Sequence, residues 1–143
     1  MNKNQLKFKI KQIEIIEFAL KDAGKVITKD TVFRFETKIK HIIDAEKKVI
    51  DVIPDFNIYC DGSNYEIANT QVAVSFLLEN IKEYFDQNGK LELPLQFIQM
   101  LNSLSISTCR GIMFALFKGT HLHSVILPII NPSNLTEIEQ PNN

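Results

Sequence analysis

The side chains best suited to chemistry in this 143-residue chain are His41, His121, His123, Cys60, Cys109 and Arg110. His121 and His123 form a His-x-His pair, and on an extended segment both rings point the same way and could share a metal ion. A closed metal site takes three or four ligands. Only His41 could add a third imidazole, and nothing in the sequence brings it near, so loop histidines in ordinary hydrogen bonds are expected, with no metal. Cys109 precedes Arg110, and a neighbouring cation can lower a thiol pKa. No His or acid stands at a helical spacing from it to act as a base, so a buried, unreactive thiol is expected. No phosphate-binding loop, dinucleotide fingerprint, nucleophile elbow or Cys-rich metal spacing occurs. The chain therefore reads as a non-enzyme without catalytic residues or cofactor.

The elements that carry these residues are strands first and a helix last. Leu6, Phe8, Ile10, Ile16, Phe18 and Leu20 share one parity, with Lys7, Lys9, Lys11 and Glu17 on the other. That is a strand with one buried face. Ile13 and Ile15 fall on the polar parity and predict a mid-strand bulge or a partly covered second face. Thr31–Asp44 and Val49–Cys60 alternate again. Pro54 cannot donate a ladder hydrogen bond, which predicts an edge position or a bulge for the third strand. Asn69–Leu78 reads as a fourth strand, with helix an alternative over Gln71–Phe85. From Pro94 the period shifts towards 3.6, with Phe97, Leu101, Leu104, Ile112 and Leu116 on the apolar side and Gly119 as the stop. Pro128 and Pro132 keep the following segment extended or loop-like. The expected fold is α+β: a four-stranded antiparallel sheet with one long helix packed on it, in one domain over 1–143, with short frayed tails at 1–5 and 137–143.

Composition agrees. Twenty Ile and ten Phe against six Ala favour sheet over a helix bundle. The formal net charge of −1 disfavours binding to nucleic acid through phosphates. Residues 1–60 hold 12 basic and 9 acidic side chains; from Leu93 to Thr136 only Arg110 and Lys118 are charged. That stretch is interrupted by Gln96, Gln99, Asn102, Ser103 and Arg110, so no membrane insertion is expected. The N-terminus lacks the apolar run of a signal peptide. Two free cysteines then fit a reducing, cytoplasmic setting.

Ser103, Ser107, Gly111, Ala115 and Gly119 recur every four residues on the helix. Small residues at this spacing make a shallow ridge that another backbone can approach closely. The ridge is a candidate oligomer interface; a thin face turned to its own chain or to solvent is the alternative. Ile126, Leu127, Ile129, Ile130, Phe114 and Phe117 add apolar surface beyond what one sheet face and one helix face need. That surplus suits an oligomer interface or a greasy groove, or a well-covered core.

Two stretches carry a family resemblance. Phe8-Lys9-Ile10-Lys11 opens the chain with the Phe-polar-Ile-polar start of a first strand. The helix with Arg110 ends in Lys118-Gly119-Thr120, followed by Pro128 and Asn131. In these features the chain resembles the SecB-type export chaperones over roughly residues 6–135. Family members carry a second C-terminal helix and an acidic tail; after Pro132 this sequence shows only Glu137 and Glu139 as acids, which marks it as divergent. The resemblance implies an ATP-independent holdase for unfolded or nascent polypeptide, serving export with an export motor as a further partner. It also implies a homotetramer built as a dimer of dimers. Some relatives serve toxin–antitoxin pairs, so a regulatory or interaction module on the same scaffold is the alternative.

On that reading the peptide groove is expected from Phe56, Tyr59, Phe114, Phe117, Leu122 and Ile126. Phe114 and Phe117 stand at i, i+3, and the loop after Gly119 must fold back past the same helix end. Large rings offer contact area at low entropic cost. Ser103, Ser107, Gly111 and Ala115 are the expected helix contact between copies.

Overall fold

Strands β1 (Phe8–Leu20), β2 (Phe33–Asp44), β3 (Val49–Cys60) and β4 (Glu66–Leu78) form an antiparallel sheet ordered β1-β4-β3-β2, followed by helix α1 (Leu95–Phe117). A computed structural model describes residues 5–131. The tails expected to fray therefore lie outside the described residues, apart from Gln5. Hairpins join β2 to β3 and β3 to β4, and residues 21–32 carry the chain from one sheet edge to the other, a Greek-key arrangement.

Bulges set the phase of β1. Phe8 and Ile10 pair with Leu78 and Phe76; the register shifts between Ile10 and Gln12 and again between Ile15 and Glu17. The first shift brings Ile13 and Ile15 opposite Val74 and Val72, and the second returns Phe18 and Leu20 opposite Thr70 and Ala68. Each extra residue inverts the alternation of the strand beyond it, so the apolar face stays on one side although the sequence changes parity twice.

The expectation for β3 needs correction. It is a central strand, paired with β2 through Ile39↔Pro54 and with β4 on its other side. The β4 ladder passes from Val52↔Val74 to Asp55↔Gln71 without a change of register, and the shift occurs later, at Ile58/Tyr59. Pro54 is accommodated by a local gap in one ladder. The helical alternative over Gln71–Phe85 gives way to strand as far as Leu78 and a 3-10 turn at Ile81–Tyr84.

The core lies between the sheet and α1. Ile50, Val52, Phe56 and Ile58 of β3 and Ala68, Val72, Val74, Phe76 and Leu78 of β4 are fully buried, and α1 packs chiefly on these two strands. Its sheet-facing seam is Phe97, Leu101, Ser105, Cys109, Met113 and Phe117, all buried. This corrects the expected seam. Leu104 is 39% exposed and Ile112 half-buried, because the small residues Ser105 and Cys109 take the inner positions. Asn102 is fully buried, and its Oδ1 accepts a 2.8 Å hydrogen bond from Nε2 of His41 on β2, which ties α1 to the second sheet edge. At 23 residues and a mean hydropathy of 1.3, α1 is long and apolar enough to cross a bilayer by those measures alone. Its inner face is spent on the sheet. Gly119, at φ 77°, supplies the left-handed turn that ends it.

Candidate functional site

α1 leaves one sheet edge uncovered. Ile10, Ile13 and Ile15 of β1 lie opposite Phe76, Val74 and Val72. Those β4 partners are 0% exposed, whereas the three isoleucines are 46–48% exposed. The ends of β1 are held to the helix by ring contacts, Phe8–Phe97 with centroids 5.2 Å apart and Phe18–Phe117 at 6.0 Å. Between these two anchors a strip of isoleucine is bare.

The outward side of α1 is apolar too. Met100, Leu104 and Phe114 are 37–44% exposed, beside the ridge of Ser103, Ser107, Gly111 and Ala115. A Cβ added at Gly111 would meet nothing within 4 Å. The ridge therefore touches no described part of its own chain at that point.

A recess of about 420 Å³ opens where β1 begins and α1 begins, lined by Gln5, Leu6, Phe8, Tyr84, Pro94, Gln96, Phe97 and Met100. Asn80 fixes its wall: the Lys7 N–H donates to Asn80 Oδ1 at 3.1 Å, and Asn80 Nδ2 donates to the Gln5 carbonyl at 3.2 Å. The amide side chain thus extends the β-ladder beyond the strand. Sequence reasoning missed this recess, since its walls come from segments about 75–95 residues apart.

The six residues expected to form a groove do not share one surface. Phe56, Phe117 and Leu122 are 0–1% exposed and belong to the core. Tyr59 lies three positions from Phe56 and hence on the opposite sheet face, under the Arg34 guanidinium, which is 4.3 Å from the ring centroid. Partial desolvation, then the Glu36 and Glu66 carboxylates, raise its phenol above the ordinary pKa. Phe114 and Ile126 are exposed, at 44% and 61%, and Lys118 Nζ sits 4.2 Å from the Phe114 ring. Phe114 and Phe117 part company because three helical residues turn 300°, enough at a face boundary to bury one ring and expose the other.

The segment after α1 is clamped back onto it. Arg110 donates through Nε to the Leu127 carbonyl and through Nη2 to the Pro128 carbonyl, both at 3.0 Å. Leu122, Val125 and Leu127 are buried, while Ile126 and Ile129 point outward. Arg110 is thus a structural clasp.

The remaining chemistry-bearing residues make contacts within the fold. Burial, with a smaller push from Asp55, drives the Cys109 thiol up to about 12, against a slight lowering by Arg110. His121 Nε2 bonds the Lys21 carbonyl and His123 Nδ1 the Thr120 carbonyl, each at 3.1 Å. Among the described residues no three His, Cys, Asp or Glu side chains gather as a metal site. The outer sheet face carries three hydrogen-bonded polar pairs among apolar positions such as Ile53 and Ile42: Ser75 donates to Asp51, Asn69 to Asp55 and Asn57 to Glu66, at 2.5–2.8 Å. What the molecule offers is apolar surface and strand edge.

No protein-family model matches the chain, and no curated protein matches it in sequence. Among solved structures, the Mycobacterium tuberculosis Rv1957 SecB-like chaperone, in complex with a ChAD peptide from the Rv1956 HigA1 antitoxin, superimposes with a TM-score of 0.52 at 12% identity. The match covers 86% of this chain and 90% of that one. The fold is SecB-like: an antiparallel four-stranded sheet followed by a long helix, at a sequence distance that makes the chain divergent.

Proposed function

We propose that the protein is an ATP-independent, holdase-type chaperone that assembles from copies of itself in the cytoplasm and binds unfolded polypeptide through apolar surface. The observation that carries this reading is the apolar surface left bare on a SecB-like fold: Ile10, Ile13, Ile15, Ile16, Met100, Leu104, Phe114, Ile126 and Ile129 are 37–94% exposed. An apolar surface of this extent in one chain marks a binding surface. A holdase needs no nucleotide. It stabilises the unfolded state by mass action, so no catalytic constellation is required.

The bare surface divides into two uses. β1 and the small-residue ridge of α1 suit assembly. Lys7, Lys9 and Lys11 lie in the first half of β1 and just before it, and Glu14 and Glu17 in the second half. Reversed against a second copy, the strand sets Lys9 and Lys11 near Glu17 and Glu14, while covering the remaining half of each isoleucine contributes about 1 kcal/mol apiece. Phe114, Ile126 and the recess at Phe97 and Met100 stay open for a client. Phe56, Phe117 and Leu122 support that client surface from the core.

A narrower reading is favoured by one observation: the similar structure binds a peptide of an antitoxin. On that reading the client here is a specific antitoxin-like segment instead of exported preproteins. Suppression of aggregation tests the broad reading. The protein should lower light scattering by a reduced, unfolded client at near-stoichiometric ratio without nucleotide. Full scattering at a several-fold excess would remove general holdase activity, and binding of a single peptide alone would favour the narrower form.

A further inference from the structure

The two sheet edges differ in kind. β1 is bulged twice and its charges change sign along the strand. β2 pairs with β3 over all twelve residues, Phe33 to Asp44, without a shift of register. Its far edge carries no hydrogen bond to another described backbone segment. A regular, unbulged edge is the kind that accepts an added strand.

Side chains on β2 sort by face from Phe33 to Lys40, with Thr37 the one polar residue on the inner row; beyond them the buried His41 continues the inner row and the 45% exposed Ile42 ends the charged outer row. Phe33, Phe35, Ile39 and Ile43 are partly buried against the core. On the other face lie Arg34, Glu36, Lys38 and Lys40. Glu36 takes up the Arg34 charge at 2.6 Å. Lys38 and Lys40 are exposed, and neither has an ion pair among the described residues. Lys38 pairs in register with Asp55, whose carboxylate already accepts from Asn69. The outer row of this edge thus presents two consecutive free cations, and the inner row half-covered apolar side chains.

We propose that the free edge of β2 docks an extended peptide of a partner protein in which apolar side chains alternate with acidic ones. Successive side chains of an added strand point to opposite faces. One set lies beside Phe35 and Ile39, and the other set meets Lys38 and Lys40. The backbone supplies affinity and the alternation supplies choice. The proposal rests on the polypeptide-binding reading and adds the edge and the client's chemistry to it.

The test uses the full chain and two labelled nine-residue peptides. Both have Val or Ile at odd positions; one has Glu and the other Lys at even positions. Fluorescence anisotropy at low salt should show the Glu peptide binding roughly ten-fold tighter, from two attractive cross-strand pairs against two repulsive ones. The preference should shrink in high salt. Lys38→Glu combined with Lys40→Glu should reverse it. N-methylation of alternate amides in the Glu peptide should abolish binding, because the added strand can no longer pair. Equal affinity for both peptides, or a preference that survives charge reversal, would overturn the proposal. So would tighter peptide binding when Glu137 and Glu139, which flank Ile138, are both changed to Lys, since that would give the edge to the chain's own C-terminal residues. Protection of an unfolded client with no peptide preference would remove the edge assignment and leave the chaperone reading standing. Failure of both would remove both.

Discussion

Replacing Gly111 by Leu has opposite consequences in a lone chain and in an assembly. Within one chain the site is open: a Cβ there meets no atom within 4 Å. The spacing alone suggests an overpacking cost, but the geometry of the single chain removes it. What is left is helix propensity, and exchanging an interior Gly for Leu gains about 0.8 kcal/mol. For a domain of this size that raises the melting temperature by about 2–3 °C. If the ridge is where another copy approaches, the new side chain lies in a contact built for a hydrogen atom. Overpacking there costs ~1–3 kcal/mol per site, and a two-fold contact incurs it twice, which exceeds the propensity gain. Light scattering coupled to size exclusion reads the mass against the 16.4 kDa of one chain, and melts at low and high protein concentration read stability. The expected result is a fall in mass, with the dissociated chain melting above the wild-type chain under dissociating conditions. A higher melting temperature with unchanged mass would show that the ridge faces solvent and refute its role in assembly.

Phe117→Ala should destabilise the chain by ~3–5 kcal/mol in urea denaturation, as a fully buried ring does, whereas Phe114→Ala should cost under ~1 kcal/mol and instead weaken capture of an unfolded client. Thr70 is 0% exposed and its hydroxyl has no hydrogen-bond partner among the described residues, so Thr70→Val should raise stability by ~1 kcal/mol in the same assay. The Cys109 thiol, ordinarily near 9.0, is pushed up to about 12 by burial. The folded state then holds that proton more tightly than the unfolded state, so its contribution is intact below pH 9 and lost as pH rises from 9 towards 12. Wild type should lose stability over that range more steeply than Cys109→Ala, and equal slopes would contradict the assignment.

Strand and helix boundaries were legible because alternation and the change to a 3.6 period are local. β1 shows the limit: the parity change at Ile13 and Ile15 signalled a bulge, but two bulges, and the return of phase at Phe18, needed the β4 partner. Pro54 misled about β3 because a missing donor breaks only one ladder, and a central strand can tolerate a local gap on one side. The groove residues were the least legible. Phe56, Phe117 and Leu122 have the same composition as a binding surface, and only the seam running through Ser105 and Cys109 tells which rings turn inward. The recess at Phe8 and Phe97 had no signal in sequence, since it depends on which strand edge the helix starts beside.

Calorimetric titration against one client in two states tests the holdase reading most directly. The client is a small protein either reduced and alkylated, hence unfolded, or native. A holdase that captures apolar surface should bind the unfolded form with a negative heat-capacity change, as burial of that surface requires, and give no heat with the native form. Equal binding of both forms, or no binding of the unfolded one, would contradict it.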